Sequence, residues 1–595
     1  MLTRRQIYTL LIVISAGLML GRIIAVNRTD MQEYQKYRFN EVNKRFDELE
    51  KQLRGAGASE EKLAEHEETR QQRLENERRE LPFFSANDRS RWNTIRVLVE
   101  PDLRVQRTVM LSDGSEGTET VWYAIDKAQN VRGWDTIDMV KHNNVVSELS
   151  FWDVAKQNGE EVYEKVSQLV ERVPKLIEKV TKLTETISGG SQGDETIEVV
   201  EPTEQPDANV EAKEGAEGHT DDKSSDQNAG YLYSSKPPLL PTLMAVPYAL
   251  MYWASDGKLS MEHEPFIVVR VMLVLCNLLP LVLCWFLLSR LIERFGTTNW
   301  GRVFSVAFVC FGTFLSTFAV TLNNHIPGVV SVTVALYCAV RIVFDKEIRW
   351  RYFVLAGFFG AFAVVCESPA LLFFCWLGLW LLWHRWQRTL FFFVPAALLV
   401  ASAFFAANYV AHKTLLPAYS QPDWYFYQYE RGTNSDGTPR VLESYWKNPQ
   451  GFDKGEESRE TYIFHSTVGH HGLFLLTPVW ALSLLGLLIW LFNRQYWGMS
   501  IIILSTSLVV FAFYMALPLE QRNYGGNTSG LRWLFWLAPL WSVALVAAAD
   551  QFGKHIFFRA IALACLIVSA MSAAYPIWNP WTAPWAYHLM QYVGG

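Results

Sequence analysis

From residue 266 to residue 580 the chain is mostly Leu, Phe, Val, Ala and Trp, cut by short polar turns into stretches of membrane-spanning length. Lipid offers no partner for backbone N–H and C=O groups, so each stretch must close its own hydrogen bonds as a helix. Spans are expected at 266–289, 303–322, 326–344, 352–366, 369–384, 389–410, 472–492, 499–517, 532–549 and 556–575. "IYTLLIVISAGLMLGRIIAV" after "MLTRR" adds a further one. It could be a cleaved signal peptide, but the apolar run is long and lacks a clear small-residue cleavage site, which favours a retained anchor. The expected fold class is therefore an α-helical polytopic membrane protein of about eleven transmembrane helices, with an extracytoplasmic α+β/helical insert in the first outer loop.

Composition agrees once two unlike parts are separated. The chain is 50% hydrophobic with 23 Trp and 19% charged residues, more apolar surface than one soluble core needs. Its mean hydropathy of +0.06 averages the apolar part with the Glu-, Lys-, Arg- and Gln-rich residues 26–235. For the same reason the net charge of -6 says little, and nothing in it points to a nucleic-acid partner. Cys276, Cys284, Cys310, Cys338, Cys366, Cys375 and Cys565 all lie in apolar segments, so they read as packing residues and not as a disulfide framework.

Threading the spans alternately places "SRLIERFGTTNWGR", "RIVFDKEIRWR", "WHRWQR", "NRQYWG" and "DQFGKHIFFR" on one side, each with Arg or Lys. That is the positive-inside pattern, and it puts the N-terminus in the cytoplasm of a cell whose plasma (inner) membrane holds the chain. The expected organisation is an anchor at 1–25, an outer loop at 26–235, a juxtamembrane segment at 236–265, a membrane core at 266–411, a second outer loop at 412–471 and further membrane helices at 472–595. The outer side then collects 26–265, the turn "LNNH", the loop 412–471 and "EQRNYGGNTSGLR". Glu367, in "CESP" between two short spans, is either a buried functional group or part of a solvated turn.

Within the first loop, Phe39, Val42, Phe46, Leu49 and Leu53 form a heptad stripe, interrupted by "GAGAS" before a charged helix near 60–80. A second stripe runs Val162, Val166, Leu169, Val173, Leu176, Val180, Leu183 and Ile187, with Pro174 a kink or a helix start. The stripes could pair as a helical hairpin, self-associate as a coiled coil with another subunit, or lie on the membrane-proximal domain. Residues 188–229 have few large apolar side chains and are expected to be disordered. "FFSANDRSRWNTIRVLVE" reads as a helix over 85–100 with Trp92, Ile95, Val99 and Leu98 on one face and Ser85 or Asn87 as cap. Asp88 then sits in its first turn, either capping the helix or available for chemistry.

The order of "NDRSRWNTIRVLVE", a hairpin-like segment, "SSKPPLLPTL" and many spans resembles the GT-C membrane glycosyltransferases, in particular the lipid A aminoarabinose transferase and protein O-mannosyltransferase branch. Those enzymes carry an Asp-Glu-x-Arg-Tyr helix in the first outer loop and then a Glu-Lys-Pro-Pro motif. Asp88, Arg91 and Trp92 match the first, with Arg89 replacing its Glu, and Lys236, Pro237 and Pro238 match the second. "FAVTLNNHIPGVVSVTVALY" resembles the family's second outer turn, with Asn323, Asn324 and His325 where an Asp is usual, and "AVVCESPALLFF" its Lys-Gly-Pro segment, with Glu367 replacing Lys. The likeness covers the spans and two motifs and leaves the 150–229 insert unexplained.

The resemblance implies transfer of a hexosyl or pentosyl sugar from a polyprenyl-phosphate donor to a lipid, glycan or protein acceptor outside the cytoplasm, with inversion in a single displacement. It makes Asp88 the base, with Arg91 orienting it or adding to the phosphate clamp, and Lys236 the cation at the phosphate. Lys236 could equally snorkel at a membrane boundary. Arg522 and Arg532, flanking "NYGGNTSGL", are further clamp candidates, since a guanidinium grips phosphate oxygens in pairs. Either could instead be a basic residue at the membrane edge. His325, His470 and His471, with neighbouring His465 and a carboxylate, could hold a divalent metal ion such as zinc, or these side chains could simply make interfacial hydrogen bonds. The aromatic run "DWYFYQYERG" could stack on sugar rings or anchor the loop at the interface. A lipid-linked sugar transporter or flippase is the competing reading; it predicts midplane ionisable residues and internal repeats, and neither is clear. A structural anchor for a coiled coil would not need so many spans.

Overall fold

The computed structural model describes residues 3–25, 30–55, 57–77, 85–110, 115–131, 133–143, 230–433, 438–576 and 579–594, with isolated positions 160 and 164. The second stripe and the 188–229 segment lie outside the described residues.

The chain is a helical polytopic membrane protein. Among the described residues, seven helices or helix runs are long and apolar enough to cross a membrane: Arg4–Ala25, Pro265–Phe295, His325–Val343, Ser368–His412, Trp497–Met515, Arg532–Phe552 and Ile556–Ala574. Ser368–His412 is two crossings joined at Arg385, where the backbone leaves helical geometry. With the shorter Asn299–Phe311, Trp350–Cys366 and Val479–Leu491, the bundle has eleven helical runs among the described residues.

One end is held by the basic turns. Arg4 bonds Glu293 at 2.8 Å and Asn299 at 2.6 Å, and Tyr8 donates to the same Glu293. Asp550 accepts from the backbone of Thr297 and Thr298, and Arg294 and Arg341 share Asp345. Arg388 donates to the carbonyl of Ile348, while Tyr496 packs its ring against Phe295 and Phe344. All five basic turns and the N-terminal helix thus meet on one face.

Several boundaries depart from expectation. The span expected at 303–322 is helical only to Phe311; after Gly312 the chain runs irregularly into a tight turn at Thr317–Val320. Side chains satisfy the backbone this break exposes: Asn277 Nδ2 donates to the carbonyls of Ala319 and Thr321, and Asn323 Nδ2 to that of Phe318. Such replacement is what allows non-helical chain at this depth. The span expected at 472–492 is split into a short helix, Leu473–Leu476, and the main helix Val479–Leu491, because Pro478 fits only the start of a helix.

Outside the bundle, Asp30–Gly55 and Glu60–Glu77 form an antiparallel pair. Phe46 packs on His66, and Arg70 bonds Asn43 and Asp47. The first stripe therefore packs against the charged helix that follows it in sequence. A hairpin, Val105–Met110 with Glu116–Val121, follows the motif helix. Met139–His142 then pairs antiparallel with Tyr231–Ser234, so the segment between them leaves and returns at one place. Leu239–Ala254 is an apolar helix but not a crossing. Its Met244, Ala245, Tyr248 and Ala249 are buried toward the motif helix, while Leu243, Val246, Leu250 and Trp253 remain exposed. An apolar face of that kind suits the lipid boundary.

Candidate active site

The motif helix is Ala86–Val99, and Ser85 caps it by accepting from the N–H of Asp88 at 3.2 Å. The Asp88 carboxylate is thereby released from capping. It is 2% exposed, and its Oδ1 has no hydrogen-bond partner among the described residues. Burial pushes its pKa up to about 7, against the pull of Arg91, the Leu322 N–H, Arg89 and the indole of Trp581. Trp92, Ile95 and Val99 are buried as expected, but so are Asn87, Arg89, Ser90, Asn93, Thr94 and Arg96. This helix is wrapped on every side, which its polar sequence does not advertise. Arg96 forms an ion pair with Glu100 at 3.0 Å under the ring of Trp134, and Tyr248 donates to Glu100 at 2.6 Å.

From Asp88 one turn leads to Arg91, 3% exposed, whose Nη1 donates to Asn87 and whose Nη2 donates to Asn324 Oδ1 at 2.5 Å. Asn324 Nδ2 donates to Glu367 Oε1 at 2.8 Å and to the Cys366 carbonyl. His325 Nδ1 lies 2.6 Å from the same Glu367 oxygen, and its Nε2 lies 3.2 Å from Arg532 Nη1. Arg532 also donates to the Gly525 carbonyl and packs over Trp581. The motif helix, the "NNH" turn, the "CESP" turn and the start of the "RWLFWL" segment therefore converge at the end of the bundle opposite the basic turns. Glu367, 5% exposed, is the buried group of its two alternatives.

Lys236 does not stand free: its Nζ donates to Asp138 Oδ1 at 2.9 Å. Burial raises the Asp138 carboxyl, but Lys236, together with Arg532 and Arg91, outweighs this and holds it below its ordinary value. Asp138 immediately precedes the strand that pairs with Tyr231–Ser234, and its carbonyl accepts from Ser90 and from the N–H of Ser235. Strand pairing thus ties Lys236 to the motif helix. Pro238 stands just before the helix Leu239–Ala254 and Pro237 before it, so both prolines lie outside the first turn. Lys236, Asp138, Asn324 and Arg532 keep partial exposure above the buried Asp88, Arg91, His325 and Glu367, which makes a polar mouth over an enclosed floor.

Two expected groups are not brought to this site. Arg522 spends its guanidinium on the carbonyls of Leu517, Glu456 and Glu457, clasping the second outer loop. His470 and His471 contact each other, His471 faces the Thr528 carbonyl and stacks on Tyr524, and His465 stacks on His470. Among the described residues no three His, Cys, Asp or Glu side chains could hold a metal ion, so His325, His470 and His471 do not form the expected ligand set. Part of the aromatic run packs inward: Trp424 stacks on His142 at 3.9 Å and Tyr427 is 4% exposed, while Phe426 between them is exposed.

Asp138, Asp453 and Trp581 were not singled out from sequence. Asp453, on the second outer loop, accepts from the Tyr445 hydroxyl at 3.0 Å, and Arg532 and Lys236 both lie near enough to lower a pKa that burial raises. Trp581 belongs to a Trp- and Pro-rich C-terminal stretch, "WNPWTAPW", whose composition suggests only interface anchoring. Leu531 and Phe535, which flank Arg532 in sequence, line a small apolar cleft with Phe314, Trp480 and Trp541.

No protein-family model and no curated protein matches the chain. Among solved structures, the fold is similar to the archaeal oligosaccharyltransferase AglB from Archaeoglobus fulgidus, in complex with an inhibitory peptide and a dolichol-phosphate, at 13% identity and a TM-score of 0.32. The match covers 60% of this chain and 49% of that one, so it spans about half the length of the archaeal enzyme.

Proposed function

We propose that this chain is a membrane glycosyltransferase that moves a sugar from a polyprenyl-phosphate donor to an acceptor on the side of the membrane away from its N-terminus, inverting the anomeric centre. The observation that carries the reading is the Asp88 carboxylate: buried, lacking a partner on Oδ1, and set one helical turn from a guanidinium in a site where three cations converge. Such transfer needs a base for the acceptor hydroxyl and positive charge for the departing phosphate. A carboxyl poised near 7 is matched to the first task. Arg91, Lys236 and Arg532 serve the second, and the small apolar cleft at Leu531 and Phe535 suits a prenyl chain whose phosphate reaches the mouth. The motif residues Asp88, Arg91, Lys236, Pro237 and Pro238 support the assignment independently of the geometry.

The test is incubation of the purified chain with a panel of labelled polyprenyl-phosphate sugars and candidate lipid, glycan and protein acceptors. Wild type should release polyprenyl phosphate with at least one donor. Asp88→Asn should lower turnover by about a hundredfold or more while still binding donor, because general-base catalysis is typically worth that much. Full turnover by Asp88→Asn rejects the mechanism.

A further inference from the structure

We infer that Glu367 is a positioning residue that sets two arginines, Arg91 and Arg532, as a paired clamp for a phosphate-type oxyanion. The inference rests on the reading of this site as one that binds a phosphate-bearing lipid, and it adds which groups hold the phosphate and what holds them.

An arginine side chain can only donate hydrogen bonds. Its contact with Arg532 therefore makes His325 Nε2 the acceptor, and the ring proton must sit on Nδ1, where it is donated to Glu367 Oε1. On the other side, the Arg91 donation to Asn324 Oδ1 orients that amide, so its Nδ2 is turned to the same Glu367 oxygen. One carboxylate oxygen thus terminates two relays, Arg91 to Asn324 and Arg532 to His325. Both intermediates are neutral, so neither guanidinium is neutralised by direct contact with Glu367, as Lys236 is by Asp138. Arg91 spends its other described bonds on Asn87, and Arg532 spends Nε on the Gly525 carbonyl. Two delocalised cations held at fixed spacing beside a partly exposed mouth suit an oxyanion with several acceptor oxygens.

Glu367 can act by its reach or by its charge, and two variants separate these. Glu367→Gln keeps the length and an oxygen at Oε1 but loses the charge, whereas Glu367→Asp keeps the charge and withdraws the oxygen by one methylene. The probe is sugar-free polyprenyl phosphate, titrated onto the full-length chain in lipid nanodiscs, with inorganic phosphate as competitor in the second arm. Positioning predicts that Glu367→Gln binds within about threefold of wild type and Glu367→Asp about tenfold or more weaker, the scale of losing hydrogen bonds to charged groups. Inorganic phosphate should compete, with the same ranking of variants. Melting temperature and monodispersity, measured alongside, keep a folding defect from passing as a binding defect. Wild-type binding by Glu367→Asp, or a Glu367→Gln as weak as Glu367→Asp at unchanged melting temperature, overturns the inference. Because the probe carries no sugar, failure of glycosyl transfer would leave this result standing, and normal transfer with indifferent Glu367 variants would do the reverse.

Discussion

Asp88 and Glu100 lie on the same short stretch and are both nearly inaccessible, yet their surroundings assign them different work. Glu100 is satisfied on all sides by Arg96 and Tyr248, so it is a structural anion. Truncating one partner of such a pair strands the other: Arg96→Leu should cost about 3 kcal/mol or more, read by thermal unfolding in detergent. Asp88 has no comparable partner. Its pKa rises from 3.8 to about 7 on folding, so the neutral form is the stable one. The stability it lends is complete below its unfolded pKa and is lost as pH climbs through about 7. Asp88→Asn, permanently neutral, should therefore melt above wild type at pH 8, with the difference shrinking as pH falls and vanishing only below about pH 4. Wild-type transfer should rise with pH through the same region, because a base must first lose its proton. A flat activity profile from pH 5 to 8 would count against Asp88 as base.

At the scale of elements, what could be read from the chain was local, and what could not was a pairing across distance. The motif helix, its Ser85 cap and its buried Trp92 and Ile95 follow from spacing and capping chemistry. The burial of Arg89, Asn93 and Arg96 on the same helix does not, because a 3.6-residue pattern identifies an apolar face and is silent on polar groups covered by other elements. Lys236 was legible as a cation, but Asp138 as its partner was not, since the strand pair that joins them closes across residues 144–229. That pair yields a prediction. Replacing 144–229 with a short turn should leave the melting temperature within a few degrees and transfer within about threefold, because both flanking strands are held by their own ladder and by Lys141 and Ser90 contacts. Gly230→Val should do worse than the deletion. Its φ is +138°, and a Cβ there would stand 2.7 Å from the His142 carbonyl carbon and oxygen. The expected histidine trio fails on the same ground that hides Asp138 in the sequence. Counting imidazoles on one side of a membrane does not show whether separate loops bring them together.

Within the helical bundle, charge is gathered at two ends. The turns around Arg294, Arg341, Arg388 and Asp550 form one pole, tied to the N-terminal helix. Asp88, Arg91, Asp138, Lys236, His325, Glu367 and Arg532 form the other, roofed by the outer domain and the second outer loop. Both poles offer arginines to a lipid phosphate, but in the first Arg294 and Arg341 are engaged with Asp345 and Arg388 with the Ile348 carbonyl, and the buried Asp88 carboxylate, whose Oδ1 has no partner among the described residues, is found in the second. The most direct measurement is a cryo-electron microscopy structure of the chain in nanodiscs with a bound polyprenyl-phosphate sugar or a non-transferable analogue. The account predicts phosphate density at the Arg91 and Arg532 guanidiniums, the prenyl chain entering the cleft by Phe535 and Trp541, and the sugar on the Asp88 side of the phosphate. Phosphate density among the Arg294 and Arg341 turns, with the Asp88 site empty, would contradict it.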